Sequence, residues 1–112
     1  HMAAVFANNF VNHMYGIADT ILEKEGLDFA LLRPLIFETA HKVMLLSPAN
    51  AQTGPARRGD ESILAMHKAL LKGDRKLLNL YSLMSESIRE AALRVTETKT
   101  EPEDKPLMLT LW

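Results

Sequence analysis

The apolar residues near the start of the chain, Ala3, Ala7, Phe10, Met14, Ile17 and Ile21, alternate four and three apart. That spacing lines them along one face of an α-helix. A second set, Ala4, Val11, Tyr15, Ala18 and Leu22, runs beside the first and widens the apolar surface past what one neighbouring helix covers. A chain that opens this way has to form a long helix and bury it on two sides. Gly26 stands just past the last periodic residue, where a left-handed helix end favours glycine.

The pattern continues helix after helix. Asp28 is placed as an N-cap for a segment that runs to Leu46, with Pro34 expected near the start of its longer part and Ser47-Pro48 ending it. Residues 47–59 lack periodicity and carry Ser, Pro, Asn, Thr and Gly, which reads as a loop. Asp60 caps a third helix from Glu61 to about Leu71, its inward positions being Ile63, Met66 or His67, and Leu70. Asp74 caps a fourth to about Glu97, on which Leu77, Tyr81, Met84, Ile88, Ala91 and Val95 repeat the spacing of the first. The expected class is all-α, a bundle of about four to five helices. One domain (1–97) is followed by a charged linker and an apolar C-terminal tail (98–112), whose Leu107–Trp112 end can dock on the domain, clasp a partner or continue into further sequence.

Composition narrows the function classes. A net charge of −1 supplies no electrostatic reason for nucleic acid or an anionic membrane as a partner. Without cysteine, disulfides, thiolate zinc sites and a cysteine nucleophile are excluded. No apolar run reaches the roughly 18 residues that span a bilayer, so no membrane partner is expected and a cytoplasmic location is. His1, His13, His41 and His67 show no metal-ligand spacing, and no metal site is expected. There is no GxGxxG, P-loop or GxSxG motif, so no cofactor site is expected in this segment itself.

Three features could still carry chemistry. In AQTGPARRGD, Gly54 and Gly59 permit positive φ and Pro55 stiffens the turn between them. Arg57 and Arg58 then lie near a helix N-terminus, where a phosphate or carboxylate is favoured; equally, an arginine can pair with Asp60 or with backbone carbonyls. His67 shares a face with Ile63 and Leu70 and is either a core-edge histidine with a hydrogen-bond partner or a catalytic group. Asn8, Asn9, Asn12 and His13 crowd the first helix, where asparagine is a mediocre helix former; they serve solvation and interhelical bonding or face a polar cleft.

The segments HMAAVFANNF, LLRPLIFETAHKV and above all AQTGPARRGDESILAMHKALL followed by LYSLMSESI resemble the C-terminal helical domain, a domain of unknown function, of Rossmann-like NAD(P)-binding oxidoreductases. The resemblance reaches to about Arg89, and its most specific part is TGPxxRGD with a histidine seven residues later. It implies a fold like the C-terminal domain of 6-phosphogluconate dehydrogenase, in the wider superfamily that includes pyrroline-5-carboxylate reductase. It also implies an N-terminal Rossmann domain, outside this sequence, that binds NAD(P). Carried over position by position, the matching residues are Asn9, Thr53, Gly54, Pro55, Arg58, Gly59, Asp60 and His67, and His1 falls where the family often has a histidine. Gln52 and Arg57 depart from the pattern, Arg57 as an added charge.

The reading that follows is a homodimerisation and substrate-cleft domain of an NAD(P)-dependent oxidoreductase, inactive by itself. Asn9 and His67 are the catalytic candidates, and Thr53, Gly54, Arg57, Arg58 and Asp60 would bind an anionic small-molecule substrate. The alternative is a structural helical oligomerisation module without a catalytic role.

Overall fold

The computed structural model describes residues 1–98, and every regular element among them is helical. The expected all-α class is what the backbone adopts. The apolar tail lies outside the described residues. The chain divides after His41 into two units.

In the first unit, residues 2–24 form one helix in three stretches: an α-helix at Met2–Ala4, a π-helix at Val5–Phe10 and an α-helix at Val11–Lys24. The junction residues Ala4, Val5, Phe10 and Val11 all keep right-handed helical dihedrals, so the axis continues while the hydrogen-bond register widens from i→i+4 to i→i+5. The end is a Schellman motif. The Leu27 N–H donates to the Leu22 carbonyl at 2.9 Å and the Gly26 N–H to Glu23 at 3.0 Å, with Gly26 at φ 70°, as glycine at this position permits. Asp28 then accepts from the Ala30 N–H at 2.8 Å, capping a 3₁₀ turn at Phe29–Leu32. Helix Arg33–Leu45 follows with Pro34 in its first turn, where its missing N–H costs nothing.

The second unit begins at Lys42. The segment expected to be a plain loop contains two short helical turns, Pro48–Ala51 and Pro55–Arg58. Each opens with proline in its first turn, the first capped by the Ser47 side chain accepting from the Asn50 N–H, so local chemistry suffices to wind them. Helix Glu61–Leu70 and helix Arg75–Thr98 complete the unit. Asp60 caps the former by accepting from Ile63 N–H at 3.3 Å, and Asp74 the latter by accepting from Leu77 N–H at 3.0 Å.

The apolar centre of this unit is Ala56, Leu64 and Ala92, one from each of the last three helical segments. Two of the three are alanines, which let the short Pro55–Arg58 turn approach the long terminal helix closely. This corrects the expected inward set for helix Glu61–Leu70: Leu64 is buried, Ile63 and His67 are half-buried, and Met66 and Leu70 are exposed.

Candidate functional site

The TGPARRGD segment is held from both ends and from above. Gly54 has φ 103° and leads into Pro55–Arg58; Gly59, at φ 70°, ends it. A second Schellman motif closes this turn: the Asp60 N–H donates to the Pro55 carbonyl at 2.9 Å and the Gly59 N–H to Ala56 at 3.2 Å. The guanidinium of Arg89, from the terminal helix, donates to the Arg57 carbonyl at 3.2 Å. It lies so close over Gly59 that an added Cβ would meet Arg89 Cζ at 2.9 Å. Glycine is needed here for the dihedral, and its missing side chain lets the tip of Arg89 lie directly over it.

Of the two arginines expected to face an anion, Arg58 is the exposed one. Its guanidinium stands 3.9 Å from the Asp60 carboxylate, its side chain 57% exposed, which is a loose surface pair worth little in stability. Arg57 is half-buried and lines a cavity of about 230 Å³ in this unit. The Asp60 carboxylate accepts from the Ser62 hydroxyl at 3.0 Å as well as from Ile63. That carboxylate already sits at the N-terminus of helix Glu61–Leu70, so an anion held by this loop would rest on the guanidiniums rather than on the helix end. Thr53 is half-buried, its carbonyl accepting from the Gln52 side-chain amide at 3.1 Å.

His67 has a hydrogen-bond partner that the spacing did not name. Its Nδ1 lies 2.7 Å from the Tyr81 hydroxyl, with the rings edge-to-face and centroids 5.6 Å apart. Burial raises the Tyr81 pKa above its ordinary value, partly offset by a hydrogen bond from Ser85. The phenol therefore stays protonated through neutral pH and can donate to Nδ1. In a neutral imidazole so arranged, Nε2 carries the proton.

Asn9 belongs to the first unit and lies within the π-helix Val5–Phe10 beside Asn8, both exposed. Short π segments inside α-helices are frequent at functional sites because they re-aim side chains. Nothing in the asparagine cluster marked this change of register. Sequence reasoning also missed Arg89, Tyr81 as a polar partner, and Lys42, which is buried at 2% exposure. Among the described residues, no group of three or more His, Asp or Glu could hold a metal ion. No described helix is long and apolar enough to cross a membrane.

Residues 1–88 match a family described as a domain of unknown function, DUF2520. The chain belongs to this family. No curated protein matches it. Among solved structures it is similar to the crystal structure of a "putative NADP oxidoreductase" from Bacteroides fragilis, at 50% sequence identity with a TM-score of 0.78, covering 80% of this chain. The match covers 35% of that protein, so this DUF2520 chain corresponds to about a third of its relative.

Proposed function

We propose that this chain is the C-terminal helical domain of an NADP-dependent oxidoreductase of the cytoplasm, where it lines the substrate side of the cleft and joins two copies into a homodimer. The observation that carries this reading is the 50% identity over 80% of the chain to a helical third of a "putative NADP oxidoreductase". A place in the superfamily of 6-phosphogluconate dehydrogenase C-terminal domains and pyrroline-5-carboxylate reductase is part of the same proposal.

The dinucleotide does not fit the residues described here. They include no strand, and the chain has no GxGxxG turn, the pairing that brings a pyrophosphate to a helix N-terminus. The cofactor is assigned to another domain of the full-length protein, and what this chain contributes is orientation. Arg58, with Arg57 behind it, supplies positive charge to an anionic substrate group, and Thr53, Gly54 and Asp60 keep the loop in one shape. His67, held by Tyr81, offers its Nε2 edge to the reacting group; a fixed donor of this kind acts by positioning and electrostatics.

A second reading draws on the loop's internal bonding. Asp60 caps its own helix and lies beside Arg58, as a well-built helix connector would require, which favours a structural module. The two readings separate on the complete gene product. Titration with NADPH and NADH, followed by cofactor fluorescence, should show saturable binding of NADPH. Failure of both to bind would overturn the oxidoreductase reading and leave the module.

A further inference from the structure

The cavity of about 230 Å³ in the second unit has two kinds of wall. Pro48 and Ala49 of one short turn and Ile88, Ala91 and Val95 of the terminal helix make it apolar, and its polar members are Gln52 and Arg57. It falls below the roughly 300–1,000 Å³ of sites for drug-sized ligands, so an occupant has to be small. We infer that the cavity binds a small aliphatic monocarboxylate, its hydrocarbon against the apolar walls and its carboxylate on the Arg57 guanidinium. This site goes beyond the proposed function: its lining comes wholly from the second unit, and binding there needs no dinucleotide.

Charge, fixity and the character of the walls each select that ligand. Arg57 is half-buried, and among the described residues no carboxylate pairs with it, the ion pair there being Arg58 with Asp60. A guanidinium so placed has lost part of its hydration without gaining a counter-ion, and a carboxylate brought to it supplies one. The planar fork matches a carboxylate with two parallel hydrogen bonds. The backbone beneath it is already held: the Arg57 carbonyl accepts from Arg89 at 3.2 Å, and Gly54 and Gly59 bound the turn with positive φ. A site fixed before its ligand arrives loses less entropy on binding. Gln52 donates one amide N–H to the Thr53 carbonyl at 3.1 Å, which leaves the second for the same carboxylate. Ile88, Ala91 and Val95 lie three and four apart on one face of their helix and offer no donor to a second charge. Inorganic phosphate or a dicarboxylate would therefore keep charge unmatched against them, whereas a short hydrocarbon removes apolar surface from water on both sides.

Isocaproate and its neutral counterpart isocaproamide are the probes, each titrated into the isotope-labelled 112-residue chain and followed by amide chemical shifts. The expected result is saturable movement at Ala49, Arg57 and Ala91 with a dissociation constant of about 1 mM for the acid. The amide should bind about tenfold more weakly or worse. Arg57→Met keeps the apolar stem of the side chain and should weaken the acid by that same factor while leaving the amide unchanged. Ala91 is exposed on a helix that tolerates leucine, so Ala91→Leu should narrow the cavity and remove binding of both, with the far-ultraviolet circular dichroism unaltered. Equal affinity for acid and amide would overturn the inference, as would acid binding that survives either substitution. Phosphate that moves the same amides with the same affinity would reduce the site to a general anion patch and overturn it too, and so would an absence of shifts up to about 20 mM isocaproate.

Discussion

The Arg89 guanidinium covers the α-carbon of Gly59 while donating to the Arg57 carbonyl two residues earlier. One side chain from the terminal helix thereby fixes the loop between two other helical segments. Gly59→Ala should destabilise the protein by about 1–2 kcal/mol, mostly from left-handed strain, with a small addition for moving the flexible tip of Arg89 off its hydrogen bond. Gly26 has the same φ of 70° with nothing within 4 Å of an added Cβ, so Gly26→Ala should cost only the strain, about 1 kcal/mol. Thermal melts check the order, at roughly 4–8 °C per kcal/mol for a domain of this size. In an Arg89→Ala background the Gly59→Ala penalty should fall to that of Gly26→Ala, and an undiminished penalty would show that Arg89 is not the obstacle.

Asp60 and Arg58 separate stability from ligand binding. Asp60→Ala removes the acceptor for Ile63 N–H and should lower stability by about 1 kcal/mol, whereas Asp60→Asn keeps an acceptor and should lose less. Arg58, 3.9 Å from Asp60 and 57% exposed, should be replaceable by alanine within about 0.5 kcal/mol. Denaturant titration reads both. If Arg58 binds a substrate anion, Arg58→Ala in the full-length protein will raise KM with folding intact; unchanged kinetics remove it from the site.

Tyr81 gives the protein an alkaline limit. Its pKa is raised on folding by burial, so the folded state holds the phenolic proton more tightly than the unfolded state. The resulting stabilisation is fully present below the ordinary tyrosine value of about 10 and is lost as pH rises through the higher folded value. Melting temperature should therefore fall above about pH 10, and Tyr81→Phe should remove that part of the fall. The same substitution leaves His67 Nδ1 without its 2.7 Å partner and should cost about 1 kcal/mol at neutral pH. An alkaline profile identical in Tyr81→Phe would assign the titration elsewhere.

How much of this was legible in the sequence depends on how local the cause is. Asp28, Asp60 and Asp74 each cap within three residues of themselves, and Gly26, Gly54 and Gly59 take positive φ where neighbouring residues already demand it. Ser47-Pro48 and Gly54-Pro55 carry a local signal for helical turns as well, each placing proline in the first turn. The rest is non-local. Arg89 reaches Arg57 across 32 positions and Tyr81 meets His67 across 14, and no spacing rule connects such pairs. Leu64 rather than Met66 is inward because Ala56 and Ala92 occupy the inner faces of the neighbouring segments. The π register at Val5–Phe10 has no side-chain signature, so a four-and-three count ran through it unaltered.

That first helix carries the remaining prediction. Phe6 and Phe10 meet edge-to-face with centroids 4.9 Å apart, yet they are 62% and 49% exposed. An aromatic pair of this kind left in water points to a protein partner, since aromatic side chains supply much of the binding energy of interfaces. The proposed dimer should use it. Light scattering across a concentration series should give twice the chain mass down to about 1 µM, which corresponds to about −8.2 kcal/mol of association. Replacing both residues, Phe6→Asp with Phe10→Asp, should raise the dissociation constant by about 100-fold or more while leaving the helix content intact. A chain that stays monomeric at every concentration would strike dimerisation from the proposed function, and a dimer indifferent to the double substitution would move the interface to another face.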